Sequence, residues 1–171
     1  MSHIASTYAA ILAVVNIGTE EAFKMVDVEG MKRFLNSVKN NYHFKTEGAK
    51  SGWDLVDPKT GKQLVPRGCS DVVASLPGSL TIHQNGEIDM RGVYCSLVVA
   101  DILNLIEGNE ELTQGMGDFI GSCQTYEGGI TCIPFGEAHG GYTFCGLAAL
   151  LILGEENKIN IDRLVEWLTN R

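Results

Sequence analysis

The chain has 171 residues, of which 44% are hydrophobic and 20% charged, and its formal net charge is −8. This length suits one domain with a buried core, and the hydrophobic fraction excludes a wholly disordered chain. The acidic balance argues against a nucleic-acid partner, and no apolar run reaches the roughly 20 residues that would insert into a membrane.

Six helices are predicted in chain order, and they alternate between two kinds. Three of them are apolar on nearly all sides, which is typical of helices buried all round: 5–17, 88–106 and 138–154. The other three are amphipathic, with their apolar residues on one face: 31–40, 111–124 and 159–171. Each apolar helix is followed by an amphipathic one, so the unit of structure is a helical hairpin.

An internal repeat relates these hairpins. Residues 78–103 align with 128–153 without a gap at an offset of 50, and glycine, acid, aromatic residue and cysteine recur in step. A third, degenerate copy opens the chain, where His3 takes the place of Asp89 at an offset of 86. The repeat predicts an all-α barrel of stacked hairpins, here an incomplete set of about three, with the apolar helices inside and the amphipathic ones outside.

The first two copies are separated by a longer stretch than the last two. The two offsets differ by 36 residues, and the excess falls in a segment of mixed charge with many turn residues and no sustained periodicity. We therefore predict a single domain over 1–171, interrupted by an exposed and poorly packed insertion at about 43–77. Gly86-Glu87 and Gly136-Glu137 should lie at equivalent turns.

The five cysteines favour a reducing compartment. Their number is odd and no two of them have Cys-x-x-Cys spacing, which argues against a disulfide framework and against a self-contained zinc site. We expect a cytoplasmic protein with reduced thiols.

The candidate site lies where the inner helices begin. The N–H groups and positive dipole end of a helix N-terminus suit an anion, above all a phosphate. His139 and Tyr142 lie one turn apart, and Cys145 continues the same side of the helix, while Arg91 and Tyr94 occupy the preceding inner helix. These side chains at the mouth of an apolar space suit a ligand with an anionic head and an oily tail.

Structural roles are the alternatives at these positions. A histidine or arginine at a helix start can be a capping or solvated residue, and the tyrosines and cysteines can be core residues. The repeat favours a site, because the sister position of His139 is Asp89 and the fold therefore leaves the identity open. Glu87 and Glu137 could form a glycosidase-type pair, but an acid beside a glycine turn in both copies favours a bracing role.

Several strings resemble those of a known family: EAHGGYTFCGLAALLIL, NGEIDMRGVYCS, CQTYEGGI, and HIASTYAAI with GTEEAF. They resemble the protein farnesyltransferase β-subunit family over about 1–40 and 78–171. Related β subunits that transfer geranylgeranyl groups typically lack the tyrosine that is Tyr142 here, which favours the farnesyl branch. The resemblance implies an α–α toroid, of which this chain would be an internal section.

The resemblance also implies roles for individual residues. His139 matches the catalytic histidine that contacts the isoprenoid diphosphate and stabilises its charge as it leaves. The other positions that match the isoprenoid diphosphate site are Tyr142, Cys145, Arg91 and Tyr94. The positions that match the peptide site are His3, Ala5 and Arg91.

The implied activity is transfer of farnesyl from farnesyl diphosphate to the cysteine thiol of a C-terminal CaaX motif, in a heterodimer with an α subunit. Zinc is the implied cofactor, with magnesium as a further candidate. The family's zinc ligands follow the point that corresponds to Arg171, so no metal ligand is assigned here and this section alone is expected to be inactive.

Three other functions are alternatives. One is the β subunit of a geranylgeranyltransferase type I. Another is a terpene cyclase on the same barrel, against which the absence of an acidic DxDD motif argues. The third is a non-catalytic helical-repeat scaffold, since the zinc-ligand region is missing.

Overall fold

The computed structural model describes residues 2–40, 76–84 and 86–170. Its helices are, in chain order, α1 (Ile4–Ile17), α2 (Glu20–Lys24), α3 (Val28–Ser37), α4 (Met90–Ile102), α5 (Glu110–Thr113), α6 (Met116–Ser122), α7 (Gly140–Leu153) and α8 (Ile161–Thr169), with a 3₁₀ turn at Glu156–Lys158. Helix α4 packs between α1 and α7, and α3 packs on α4 as α6 does on α7. Over these ranges the strand-like pairing consists of isolated bridges, so the all-α prediction is confirmed.

The turns that precede the inner helices repeat as predicted. The main-chain N–H of Gly86 donates to the carbonyl of His83 at 2.8 Å, and that of Gly136 donates to Ile133 at 3.2 Å. Both bonds join positions that are 50 residues apart in the two copies. The prediction that the two glycine turns are equivalent is confirmed.

The predicted helix 111–124 is wrong in one respect, because it is two helices. Gly115 separates α5 from α6 with a left-handed φ of 76°. The break brings two main chains together, since a Cβ added to Gly78 would lie only 1.9 Å from the carbonyl oxygen of Gly115. Glycine at position 78 permits this contact and glycine at 115 permits the positive φ, and together they attach the inner-helix turn to the outer layer.

The prediction that the inner helices are buried all round is also wrong. In α7, Leu150 is fully buried, whereas Phe144 and Leu151 are each 60% exposed. Gly146, on the opposite side of the helix from Phe144, packs against Ile120 of α6. The inner helices thus bury the face toward the outer layer and leave the inward face accessible.

The two ends of the predicted insertion lie side by side. Asn40 and Gly78 are joined by a main-chain hydrogen bond of 3.3 Å, and the N–H of Asn40 donates to Ser79 at 3.0 Å. The expectation of poor packing at 43–75 lies outside the described residues. Leu76 and Pro77 belong to the same predicted segment, but both are buried, so the expectation is wrong for them.

Lys39 closes this junction with a buried ammonium group. Only 7% of the residue is exposed, and its Nζ donates to the carbonyls of Gln114 at 2.7 Å and Gly78 at 3.4 Å. Burial lowers the pKa of Lys39 from 10.5 to about 8. The folded chain therefore releases this proton at a lower pH than the unfolded chain does.

We expect the free energy of unfolding to rise between pH 8 and pH 10.5 through Lys39. In this range the unfolded state holds the proton that the folded state has lost, so the sign is positive, and the full rise is about 3 kcal/mol. Urea titrations of Lys39→Met and the wild type at each pH should show this contribution as the difference between the two profiles, because groups present in both proteins, such as Cys95 with its raised pKa, cancel in the comparison. Lys24→Met, a change at an exposed lysine, is the control and should keep it. An identical pH profile for Lys39→Met and the wild type would contradict the assignment.

Candidate functional site

The three inner helices begin with equivalent N-cap residues. The side chains of His3, Asp89 and His139 each accept a hydrogen bond from the main-chain N–H two residues on, at 3.2, 2.6 and 3.0 Å respectively. The fold therefore does constrain this position, because it requires an acceptor, and an imidazole nitrogen or a carboxylate oxygen can supply one. We call the end of the layer that contains these three caps the rim.

The cap bond determines which nitrogen of His139 is protonated. Nδ1 accepts from the N–H of Gly141, so the ring proton is on Nε2. The residue is exposed, and its ring centroid lies 5.4 Å from that of Tyr142. In this geometry His139 offers its Nε2–H as a hydrogen-bond donor at the rim.

Arg91 supplies the positive charge at the rim. Its Nε donates to Asp89 Oδ2 at 2.9 Å, and a terminal nitrogen of the guanidinium contacts the same oxygen. The Asp89 side chain is only 9% exposed, and it both caps α4 and pairs with Arg91. This pairing raises the pKa of Arg91 above its usual value. The guanidinium carbon lies 5.9 Å from the ring centroid of Tyr142, within cation–π range. Arg91, Tyr142 and His139 therefore form one continuous group across α4 and α7.

An aromatic row follows the rim along the inner helices. The ring of Tyr94 lies 5.9 Å from that of Tyr8 and meets the ring of Phe144 edge-on at 5.3 Å. Burial, together with a hydrogen bond to Tyr8, raises the pKa of Tyr94 to about 12, which keeps its phenol protonated at neutral pH. The sequence interpretation selected Tyr94 and missed Tyr8 and Phe144, although all three occupy the same position of the repeat.

Two cysteines at equivalent repeat positions lie beside this row. Burial raises the pKa of Cys95 to about 11, and it raises that of Cys145 as well. Both groups are therefore thiols at neutral pH and act as apolar wall rather than as nucleophiles.

Two of the three predicted peptide-site residues, His3 and Ala5, lie apart from His139, whereas Arg91 belongs to the group that contains it. His3 and Ala5 belong to the start of α1, which is separated from α7 by α4. The ring of His3 contacts that of His83 at a centroid distance of 5.7 Å. The rim thus has one group of polar side chains on α4 and α7, and a separate pair of imidazoles, His3 and His83, beside the start of α1.

Zinc does not fit the side chains that the structure describes. No three histidine, cysteine or acidic side chains converge within 2–40, 76–84 and 86–170. The raised thiol pKa values also oppose the thiolate that zinc requires. Over the same residues, no helix combines the length and the apolar character needed to cross a membrane.

This arrangement suits an amphiphilic anion. The rim offers the Nε2–H of His139, the guanidinium of Arg91 and the N-terminal end of α7, all of which favour a negatively charged group. Below them, the aromatic row of Tyr8, Tyr94 and Phe144 presents an accessible apolar surface to a hydrocarbon chain.

Comparison with known proteins identifies the family. Residues 1–171 match the prenyltransferase alpha-alpha toroid domain, and the chain belongs to this family. A protein farnesyltransferase subunit beta of Arabidopsis thaliana is 37% identical over 171 residues, which is 100% of this chain and 28% of that protein. The Pisum sativum subunit is 34% identical over 171 residues, 100% of this chain and 32% of that protein. The predicted toroid and the predicted family are confirmed.

A geranylgeranyl transferase type-1 subunit beta of Arabidopsis thaliana matches less of the chain. It is 37% identical over 75 residues, which is 44% of this chain and 20% of that protein. The chain spans about a third of the length of the farnesyltransferase subunits that it matches.

Proposed function

We propose that the chain is an internal section of a protein farnesyltransferase β subunit. The complete enzyme transfers farnesyl from farnesyl diphosphate to the cysteine thiol of a C-terminal CaaX motif. One observation supports this above all others: Tyr94 and Phe144 of the aromatic row lie on the same two inner helices, α4 and α7, as the polar group of His139, Tyr142 and Arg91. A ligand bound there would have its hydrocarbon chain on the row and its diphosphate at the rim.

In this proposal the rim residues stabilise the leaving group. Transfer forms the bond between the acceptor sulfur and C1 of the farnesyl chain and breaks the bond between C1 and the diphosphate oxygen. Negative charge grows on that oxygen, and the Nε2–H of His139 and the guanidinium of Arg91 stabilise it. Tyr142 holds Arg91 against its ring, while Tyr94 and Cys145 line the hydrocarbon path.

The remaining parts of the proposal concern partners. The acceptor peptide binds at the α1 side of the rim, near His3 and Ala5. Arg91, on α4, lies between these two residues and His139. An α subunit completes the enzyme in the cytoplasm, and residues of the β subunit that follow this section hold the zinc, with magnesium as a second ion at the diphosphate. The whole-chain similarity to farnesyltransferase β subunits supports these assignments.

Transfer assays with two isoprenoid diphosphates test the proposal. The subunit that contains this chain, co-expressed with an α subunit, should transfer farnesyl to a CaaX peptide faster than geranylgeranyl. A peptide with serine in place of the acceptor cysteine is the control and should remain unmodified. A preference for geranylgeranyl would indicate the type I enzyme, and no binding of either diphosphate would indicate a non-catalytic scaffold.

A further inference from the structure

A second imidazole lies beside His3 and has no role in the site described so far. His83 belongs to the turn that leads to α4, and the planes of the two rings are tilted by 46° at a centroid distance of 5.7 Å. The N–H of Ile4 donates to the carbonyl of Ile82 at 2.8 Å, which attaches this turn to the start of α1. The His83 turn and the His3 cap are therefore one connected unit.

The ring of His83 has a defined place within this unit. A Cβ added to Gly86 would lie 2.9 Å from both Nδ1 and Cε1 of His83, so the ring rests against the glycine main chain. Its Nδ1 lies 3.0 Å from the carbonyl oxygen of Gln84. Contacts with Gly86 and Gln84 limit the rotation of the ring and fix the surface that it presents to His3.

The hydrogen bonds of the two rings give them opposite roles. His3 Nδ1 accepts from the N–H of Ala5, so its proton is on Nε2. A carbonyl oxygen can only accept, so the proton of His83 is on Nδ1, where it faces Gln84. His3 therefore offers an Nε2–H donor, which suits a carboxylate. The Nδ1–H of His83 is already bonded to the carbonyl of Gln84, so it does not bind the same carboxylate.

The fold does not need an imidazole at position 83. The sister position in the next copy is Ile133, and its carbonyl accepts the same turn-closing bond from Gly136. An aliphatic side chain is thus compatible with this turn. The ring of His83 has two contacts that isoleucine cannot reproduce, the hydrogen bond to the carbonyl of Gln84 and the contact with His3, and only the second reaches the start of α1.

We propose that His83 is a positioning residue for His3: its ring holds the His3 imidazole so that the Nε2–H faces the C-terminal carboxylate of the acceptor peptide. The inference rests on the proposed function for its substrate, but the contact between the rings can be tested independently of transfer.

Three substitutions test the role in the α-subunit complex. His83→Ile should raise KM for the CaaX peptide about threefold to tenfold, since a tilted ring pair contributes about 0.5–1.5 kcal/mol, and should leave kcat and the affinity for farnesyl diphosphate unchanged. His83→Phe keeps a ring against His3 and should restore a KM near the wild-type value. In a His3→Ala background, His83→Ile should have no additional effect.

Several kinetic results would overturn the proposal. An unchanged KM in His83→Ile would show that the ring has no positioning role. Equal losses in His83→Ile and His83→Phe would show that His83 contacts the peptide through its own nitrogens. Parallel losses of kcat, diphosphate affinity and thermal stability would show a purely structural role.

A spectroscopic measurement separates this inference from the proposed function. Nitrogen-15 spectra of labelled histidines, assigned by single substitutions among the four histidines, report the tautomer of each ring. His3 should be the Nε2–H tautomer in both the wild type and His83→Ile, because the N–H of Ala5 sets it, but the ring resonances of His3 should shift in His83→Ile because the neighbouring aromatic ring is lost. An unchanged His3 signal would overturn the inference even in an active enzyme, whereas a shifted signal would support the ring contact even if the complex transferred no prenyl group.

Discussion

The His139→Asn variant is expected to transfer the prenyl group roughly tenfold to a hundredfold more slowly than the wild type in single turnovers with saturating farnesyl diphosphate. Asparagine can still accept the N-cap hydrogen bond of α7, as the carboxylate of Asp89 does for α4, but it lacks the Nε2–H donor. A lost hydrogen bond to a charged group costs about 1.5–3 kcal/mol, and about 1.4 kcal/mol corresponds to a factor of ten in rate. The affinity for the acceptor peptide should change little, because His139 lies at the start of α7, whereas the proposed peptide-binding residues His3 and Ala5 lie at the start of α1.

His139→Ala is the comparison that separates the two roles of this residue. It removes the donor and the helix cap together, so it should match the rate of His139→Asn and in addition lose about 1 kcal/mol of stability. The His139→Asn protein should melt within a few degrees of the wild type. An unchanged chemical rate in His139→Asn, or a loss confined to peptide binding, would show that the assignment is wrong.

Gly128→Ala is expected to have the largest effect on stability, about 3–5 kcal/mol. Gly128 has a φ of 110°, and a Cβ there would lie 2.1 Å from the carbonyl oxygen of Arg163 in α8. Strain at such a backbone position and overpacking each cost about 1–3 kcal/mol, and the obstacle here is main chain, which cannot rotate away. The hydrogen bond of 2.6 Å from the Arg163 guanidinium to the carbonyl of Tyr126 should be lost as well, as α8 moves.

Gly108→Ala is the matched control for this effect. Gly108 also has a positive φ, 71°, but nothing lies within 4 Å of an added Cβ, so only the backbone strain of about 1 kcal/mol applies. Urea unfolding of the two variants under the same conditions gives the difference. Equal losses of stability would contradict the close approach between the inner-helix turn and α8.

The repeat predicted the architecture because residues at equivalent positions of the repeat occupy equivalent places in the packed helices. Its phase placed Asp89 and His139 at corresponding helix starts, and the structure has both as N-caps. Which nitrogen of His139 acts as the donor could not be predicted in this way. It depends on a hydrogen bond to one main-chain N–H, and that geometry exists only in the folded chain.

Three features differ from the predictions, each for its own reason. The break at Gly115 was missed because the apolar pattern continues through it, and only the contact with Gly78 shows why the chain turns there. The aromatic row was recognised only at Tyr94, since polar neighbours guided the choice of candidates. An apolar helix was taken to be buried on every side, whereas Phe144 shows that the inward face is accessible.

The central claim is that the aromatic row and the rim bind an isoprenoid diphosphate, and photocrosslinking tests it most directly. A farnesyl diphosphate analogue with a photoreactive group in its terminal isoprene should label the complex of this subunit with an α subunit. Mapping by mass spectrometry should place the adducts on Tyr8, Tyr94 or Phe144, and excess farnesyl diphosphate should remove them. Adducts that appear only outside α1, α4 and α7, or that excess farnesyl diphosphate fails to remove, would contradict the account.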